Sequence, residues 1–255
     1  MLIIFTAAYT DMGDLKQVNQ DALFYQTGII GNRRVGLFII ADGCGGLAFG
    51  EEISQLAVNY FGRFWDRELR ELLKSKKLSG ERVDAFLEKA IREINKIALE
   101  FGKQMGQQVG TTLSLLLTVN RDYYIKNIGD SRIYLIRKKQ IRRLTEDQSL
   151  LAGMLRNKEI TTEEAKNFPK KNVLTMCVGV FADLKIYSNA GKVKSKDLFL
   201  LCFDGLYNYI PGDAWQILLA KPGREELPVM ADKLRKSIPS GEAKDNVSII
   251  LARFV

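Results

Sequence analysis

Apolar positions along this chain follow two different periods. In residues 2–10, 22–30 and 34–41 they come in short runs or at every second residue, the period of a strand, with Gly31-Asn32 as the turn between the second and third. From Glu51 to Leu73 the period lengthens: Ile53, Leu56, Ala57, Tyr60, Phe61, Phe64 and Trp65 recur at three- and four-residue spacing, which predicts a long amphipathic helix. Residues 81–105 repeat that spacing through Val83, Phe86, Leu87, Ala90, Ile94, Ile97, Ala98 and Phe101. After Gly110, four short strands over 111–119, 123–128, 133–137 and 140–144 are joined by tight turns. Residues 149–180 read as short helical pieces in charged, weakly patterned sequence, with Thr161-Thr162-Glu163-Glu164 as a cap and first turn. Strands return at 184–189 and 197–203, helices at 214–219 and 224–237, and a buried strand over 245–252 closes the chain. Strands, then helices, then strands predict an α+β fold of antiparallel sheets with helices packed outside.

The most informative feature is how the apolar strands end. Leu37-Phe38-Ile39-Ile40-Ala41 runs into Asp42-Gly43-Cys44-Gly45-Gly46, and Leu198-Phe199-Leu200-Leu201-Cys202-Phe203 runs into Asp204-Gly205. Asp130 follows Tyr124-Ile125-Lys126-Asn127-Ile128-Gly129 in the same way, and Asp245 precedes the last strand. A single Asp-Gly is most simply a turn. Several carboxylates at comparable strand ends would converge, and converging carboxylates persist only if protonated, paired or holding cations.

Composition narrows the chemistry. There is no histidine among the 255 residues, which excludes Ser-His-Asp and Cys-His nucleophile systems. An oxygen-only donor set without histidine or clustered cysteine favours Mg²⁺ or Mn²⁺ over Zn²⁺. Asp42 is placed to bridge two such ions, with the Gly43 carbonyl as a further ligand. Two ions about 4 Å apart share and deprotonate a water and stabilise in-line attack on phosphorus, so the expected chemistry is phosphate-ester hydrolysis.

The remaining composition sets the context. Length and 46% hydrophobic content suit one domain with a sizeable core. Cys44, Cys177 and Cys202 are an odd set without CxxC spacing, the usage of a reduced, cytoplasmic protein. The net charge of +8 is spread over short clusters at Lys74–Lys77, Arg137–Lys139, Arg142-Arg143 and Lys170-Lys171. These read first as a solvated surface and second as docking for acidic or phosphorylated substrates; no nucleic-acid motif is present. The opening Met1-Leu2-Ile3-Ile4-Phe5 lacks a basic flank and reads as a strand, so neither a signal peptide nor a membrane span is expected.

At this point the sequence resembles the protein phosphatase 2C-like (PPM) family in its compact bacterial form, over essentially its full length. The matching blocks run in order from Thr10-Asp11-Met12-Gly13 and Asn19-Gln20-Asp21-Ala22 to Ala41-Asp42-Gly43-Cys44-Gly45-Gly46 with Gly50-Glu51, then Gly110-Thr111-Thr112. They continue through Gly129-Asp130-Ser131-Arg132, Leu144-Thr145-Glu146-Asp147, Asn172-Val173-Leu174-Thr175, Asp204-Gly205-Leu206 and Asp245-Asn246.

The resemblance implies a four-layer αββα sandwich of two antiparallel sheets flanked by helix pairs, as a single domain over 1–255. It implies a centre of two Mn²⁺ or Mg²⁺ ions, with Asp42 bridging, Gly43 offering its carbonyl, and Asp204 and Asp245 completing the first ion's shell. Gln20 and Asp21 would act through water, and Asp130 with Asp204 would hold a weaker third ion. Residues 147–180 correspond to the family's flap. Lys16 stands where many members have a phosphate-gripping Arg, and it supplies charge without the two-pronged fork. Cys44 stands where some relatives carry a histidine proposed as the leaving-group acid, and is read as packing. Phe203 and Gln148 replace a small residue and a histidine, and Arg132 is read as a structural partner in its turn. The expected function is a metal-dependent phosphatase of phosphoserine and phosphothreonine in proteins, opposing a bacterial-type Ser/Thr kinase and acting as a monomer. A catalytically weak phosphoprotein-binding module is the alternative, and a two-metal nuclease a distant third.

Overall fold

In the computed structural model, residues 2–75, 77–170, 172–219 and 226–255 are described. Lys76 and Lys171 of two basic clusters, and residues 224–225 of the helix expected over 224–237, lie outside them.

The strand β3 (Arg33–Asp42) shows how sequence pattern becomes layering. Leu37, Ile39 and Ala41 pack into one apolar layer, whereas Phe38 and Ile40 face the opposite one, so the strand is greasy on both sides. It lies between β2 (Asp21–Ile30) and β4 (Leu113–Val119) in a sheet of order β2-β3-β4-β5-β8, completed by β5 (Asp122–Ile128) and β8 (Tyr187–Lys192). The second sheet has the order β1-β10-β9-β6-β7, built from β1 (Ile4–Asp11), β6 (Arg132–Arg137), β7 (Gln140–Arg143), β9 (Leu198–Cys202) and β10 (Val247–Phe254). Every pairing is antiparallel.

Three apolar layers separate four structural ones. Phe38, Ile40, Phe199, Leu201, Ile250 and Phe254 fill the space between the sheets. Outside the first sheet lie α1 (Gly50–Phe64), a π-helical turn (Trp65–Leu69), α2 (Arg70–Lys74) and α3 (Gly80–Met105), which bury Phe61, Trp65, Leu69, Ile91 and Ile94. The expected helix over 51–73 therefore contains a π turn. Outside the second sheet, α7 (Leu227–Lys236) buries Leu227, Met230, Ala231 and Leu234 beside Leu206 of the short α6 (Asp204–Tyr207). Ser79 caps α3 by accepting from the Arg82 N–H at 3.2 Å, and Gly106 ends it at φ 62°.

Three expected elements shift; the closing strand expected over 245–252 is β10, two residues later. The strand over 184–189 is β8, three residues later: Leu184 is buried against the helical layer, and ladder pairing with β5 begins only at Tyr187. Residues 214–219 belong to a 3₁₀ helix, Gly212–Leu219. Within 147–180 lie α4 (Leu150–Arg156) and α5 (Thr162–Lys166), the latter opened by the expected Thr161/Glu164 capping box. Among the described residues no helix is long and apolar enough to cross a membrane.

Candidate metal centre

Both sheets deliver carboxylates to the same end of the sandwich. From the first come Asp42 at the end of β3, Asp21 opposite it in register at the start of β2, and Asp130 after β5. From the second come Asp204 after β9 and Asp245 just before β10. A pocket of 280 Å³ is lined by Lys16, Gln20, Asp42, Gly43, Asp130, Asp204 and Asp245 together with Cys44, Thr112 and Asn172. Of the residues expected to hold ions or phosphate, only Asp21 is absent from this lining; its Oδ2 is buried and lacks a hydrogen-bond partner.

The backbone around Asp42 is fixed by two threonines that the sequence reading had assigned no role. The Asp42 N–H donates to Thr112 Oγ1 at 3.0 Å, while Thr111 Oγ1 and the Thr112 N–H donate to the Asp42 carbonyl at 2.8 Å each. The Gly43 N–H donates to the Gln20 carbonyl at 3.1 Å. A Cβ on Gly43 would lie 2.4 Å from the Gly50 carbonyl carbon, so this approach of loop to helix start requires glycine.

Asn246 is the other residue whose part only the structure assigns. Its Nδ2 donates to the carbonyls of Met12 (2.8 Å) and Val18 (3.1 Å), and its Oδ1 accepts from the Gln20 N–H at 2.9 Å. It thus ties the loop carrying Lys16 to the strand start carrying Asp245. Asp14 reinforces the tie: its Oδ2 accepts from the N–H groups of Gly241 (2.8 Å) and Ala243 (3.1 Å), and its Oδ1 from Arg235 (2.9 Å).

Across the pocket, Arg132 forms a two-pronged pair with Asp147, Nη2 to Oδ2 at 2.7 Å and Nε to Oδ1 at 3.1 Å, with its guanidinium 3.5 Å above the Tyr207 ring. Tyr207 in turn donates to the Asp130 carbonyl at 3.0 Å. Gln148 Oε1 accepts from the Gly129 N–H at 2.9 Å. Arg132's partners lie outside its own turn: it joins the start of the 147–180 segment to Tyr207 and, through it, to Asp130. Cys44, which lines the pocket, shares a hydrogen bond with Cys177, which together with burial pushes the Cys44 thiol well above the usual range.

The electrostatics call for a cation. Burial first, then neighbouring carboxylates, push Asp204 up to about 7 and Asp130 up to about 6. Burial pushes Asp21 up to about 8, and Asp42 is raised by burial and by Asp21, Asp204, Asp130 and Asp245. Lys16 already supplies one positive charge, with Nζ 2.9 Å from Asp245 Oδ1. Burial works against that charge, yet the hydrogen bond to Asp245 and the nearby Asp42 and Asp204 hold its pKa above the ordinary value. Among the described residues no three acidic or thiol side chains close on one point as a finished metal cage. The donor chemistry nonetheless fits hard divalent ions: carboxylates from both sheets, the Gly43 carbonyl, an orphaned buried carboxylate oxygen, and a single thiol, Cys44, in the lining.

Comparison with known proteins points the same way. The sequence profile of protein phosphatase 2C matches residues 14–235. The chain is 33% identical to the serine/threonine phosphatase stp of Listeria monocytogenes serotype 4b (strain F2365) over 245 residues, covering 95% of this chain and 92% of that one. It is 28% identical to the protein phosphatase PhpP of Streptococcus pneumoniae, over 95% of this chain and 94% of that one. Among solved structures, the serine/threonine phosphatase Stp1 from Staphylococcus aureus superposes with a TM-score of 0.84 at 25% identity, over 99% of this chain and 95% of that one. The catalytic domain of the serine/threonine protein phosphatase PstP, solved with two manganese ions, superposes with a TM-score of 0.81 at 25% identity over the whole of both chains.

Proposed function

Because this chain belongs to the protein phosphatase 2C family, we propose that its pocket of strand-end carboxylates is the active site and that residues 1–255 act as one catalytic domain. The protein is a metal-dependent Ser/Thr phosphatase, hydrolysing phosphoserine and phosphothreonine in protein substrates. The observation that carries the site assignment is the meeting of Asp42, Asp130, Asp204 and Asp245, drawn from two different sheets, in one pocket of a chain without histidine.

In this reading Asp42 would be shared between two ions, with the Gly43 carbonyl beside it, and Asp204 and Asp245 would complete the shell of the first. Gln20 and Asp21 would contribute through water, and Asp130 with Asp204 would hold a third ion. When bound, the ions supply Lewis-acid polarisation of the phosphoryl group and of a water. The carboxylates keep those charges at the sheet ends with little reorganisation, because the backbone carrying Asp42 is pinned by Thr111 and Thr112. Lys16, 2.9 Å from Asp245, would orient the phosphate of the substrate with a single positive charge. The segment 147–180 would act as a flap, tied to Asp130 through Arg132 and Tyr207. Either Mn²⁺ or Mg²⁺ suits the donors, and a cytoplasmic monomer opposing a Ser/Thr kinase is the setting we assign. The relatives are named phosphatases and the carboxylate set is intact, so the weak-binder alternative gains no support.

The test is turnover of p-nitrophenyl phosphate and of a phosphothreonine peptide with added Mn²⁺ or Mg²⁺, in the parent and in Asp204→Asn. Activity that needs the metal and is lost in the variant is expected. Activity indifferent to Asp204→Asn would remove the site assignment.

A further inference from the structure

A cationic cavity lies at the opposite end of the same strands. β9 (Leu198–Cys202) lies between Asp197 and Asp204, and β10 (Val247–Phe254) leads from Asp245 to Arg253, so at ~3.3 Å per residue this end lies about 20–25 Å from the carboxylate pocket. The cavity, of 430 Å³, is lined by Arg137, Lys138, Lys139, Lys194, Lys196 and Arg253, with Ile136 and Leu219 as apolar wall and Asp197 as the acid among them.

Asp197 is already committed. Its carboxylate accepts from Arg137 Nε at 2.7 Å and Nη2 at 2.6 Å, and from the Lys194 N–H at 2.7 Å, while its side chain is 1% exposed. Its hydrogen bonds go to Arg137 and the Lys194 N–H, so it acts on Arg253 only through space, and among the described residues no acid pairs with Lys138, Lys139, Lys194 or Lys196. Arg253 is the decisive one. It is 7% exposed, and its Nε is buried with no hydrogen-bond partner. A buried N–H of a charged group without an acceptor is costly, and this one lines the cavity.

The backbone independently points to the lysines. Lys138 and Lys139 form the two-residue turn between β6 and β7 at φ 49° and 61°, and Lys196 has φ 73°. Such positions favour Asn or Gly, and a long side chain there is strained by about 1 kcal/mol. Three such lysines bordering one cavity are explained by what their ammonium groups do. The loop is also rigidly mounted: the Lys196 N–H donates to the Phe254 carbonyl at 2.7 Å, and the Phe254 N–H to the Asp197 carbonyl at 2.9 Å.

We propose that this cavity binds an oligophosphate, either pyrophosphate or the polyphosphate chain of a nucleotide, with Arg253 as the buried anchor and Lys138, Lys139, Lys194 and Lys196 as the rim. The volume is that of a small-molecule site. A lone phosphate monoester, with a charge of about −2, leaves most of the five cations unmatched, whereas two or three linked phosphoryl groups bring roughly twice that charge.

The experiment is amide chemical-shift mapping on the Mg²⁺-loaded protein, with Mg²⁺ kept in excess, titrated separately with inorganic phosphate, pyrophosphate, ATP and poly-glutamate. Saturable shifts at residues 137–140 and 193–197, at least about tenfold tighter for pyrophosphate or ATP than for phosphate, are expected. Equal affinities for the two assign recognition to the phosphates, and tighter ATP binding assigns it to a nucleotide. Arg253→Met should weaken binding about tenfold while raising the melting temperature of the ligand-free protein, since it removes a buried N–H that lacks an acceptor. Lys139→Gln, on an exposed turn, should weaken it several-fold through lost electrostatic attraction. Shifts confined to the loops around Asp42 and Asp204, unchanged affinity in both variants, or response to poly-glutamate alone would overturn the assignment.

Discussion

Arg132 offers a quantitative test of how the 147–180 segment is fastened to the carboxylate end of the sandwich. In Arg132→Met the alkyl stem remains, but Asp147 loses both prongs of its main partner and keeps only Arg143 Nη1 at 3.0 Å. Breaking a fully buried ion pair costs about 3–5 kcal/mol. Asp147 is only 9% exposed, but Arg132 is 22% exposed and Arg143 partly compensates, which brings the electrostatic loss down to about 1–3 kcal/mol. Losing the guanidinium from its place 3.5 Å above Tyr207 adds about 1 kcal/mol. For 255 residues the unfolding entropy makes each kcal/mol worth about 2 °C, so Arg132→Met should lower the melting temperature by about 4–8 °C. Calorimetry and urea unfolding on parent, Arg132→Met and Arg132→Met/Asp147→Asn measure it. If the stranded charge dominates, the double variant recovers about half of the loss. A single variant within about 1 °C of the parent would refute the reasoning, because Asp147 would then be satisfied by Arg143 and solvent alone.

Other consequences are as direct. A Cβ at position 205 would lie 1.9 Å from the Asn246 carbonyl oxygen, so Gly205→Ala should destabilise by about 3 kcal/mol or more and lower Mn²⁺ affinity by separating Asp204 from Asp245; unchanged affinity by calorimetric titration would contradict it. Lys16→Ala should raise KM for a phosphothreonine peptide about tenfold, with Lys16→Arg at or below the parent KM, and an Ala variant with parental KM would remove Lys16 from phosphate binding. Hydrogen bonds from Ala243, then Arg235 and Gly241, hold the Asp14 carboxyl below its ordinary pKa. A depressed folded-state pKa stabilises above the unfolded value and is lost as pH falls through the folded one, so the urea midpoint of Asp14→Asn should lie below the parent at pH 7 and meet it below about pH 4. A gap that persists to pH 2 would argue that Asp14 acts through shape rather than charge.

The hydrophobic periodicity was sufficient for most of the fold because each layer has its own pattern: β3 and β9 are apolar on both faces, while α3 carries one apolar stripe. Where the pattern was weak, boundaries moved. Leu184 is apolar because it fills the helical layer, not because it belongs to a ladder, and a π turn at Trp65 leaves no mark in a three- and four-residue spacing.

At the candidate site, sequence alone singled out the carboxylates, because a charge after an uninterrupted apolar run is conspicuous wherever it falls in the chain. It could not show that Asn246 reaches Met12 and Val18, that Tyr207 reaches the Asp130 carbonyl, or that Lys16 pairs with Asp245, since these contacts join residues as far as 234 positions apart. Nor could it separate Arg253 from the other surface-seeming cations. Its charge was visible as one letter, but its burial and its unpartnered Nε exist only once β10 lies between β1 and β9 and the loop at Lys194–Lys196 closes over its end. Residue type and local period fix which groups are chemically able to act, whereas the desolvation and distances that decide which of them do act are properties of strands brought together from opposite ends of the chain.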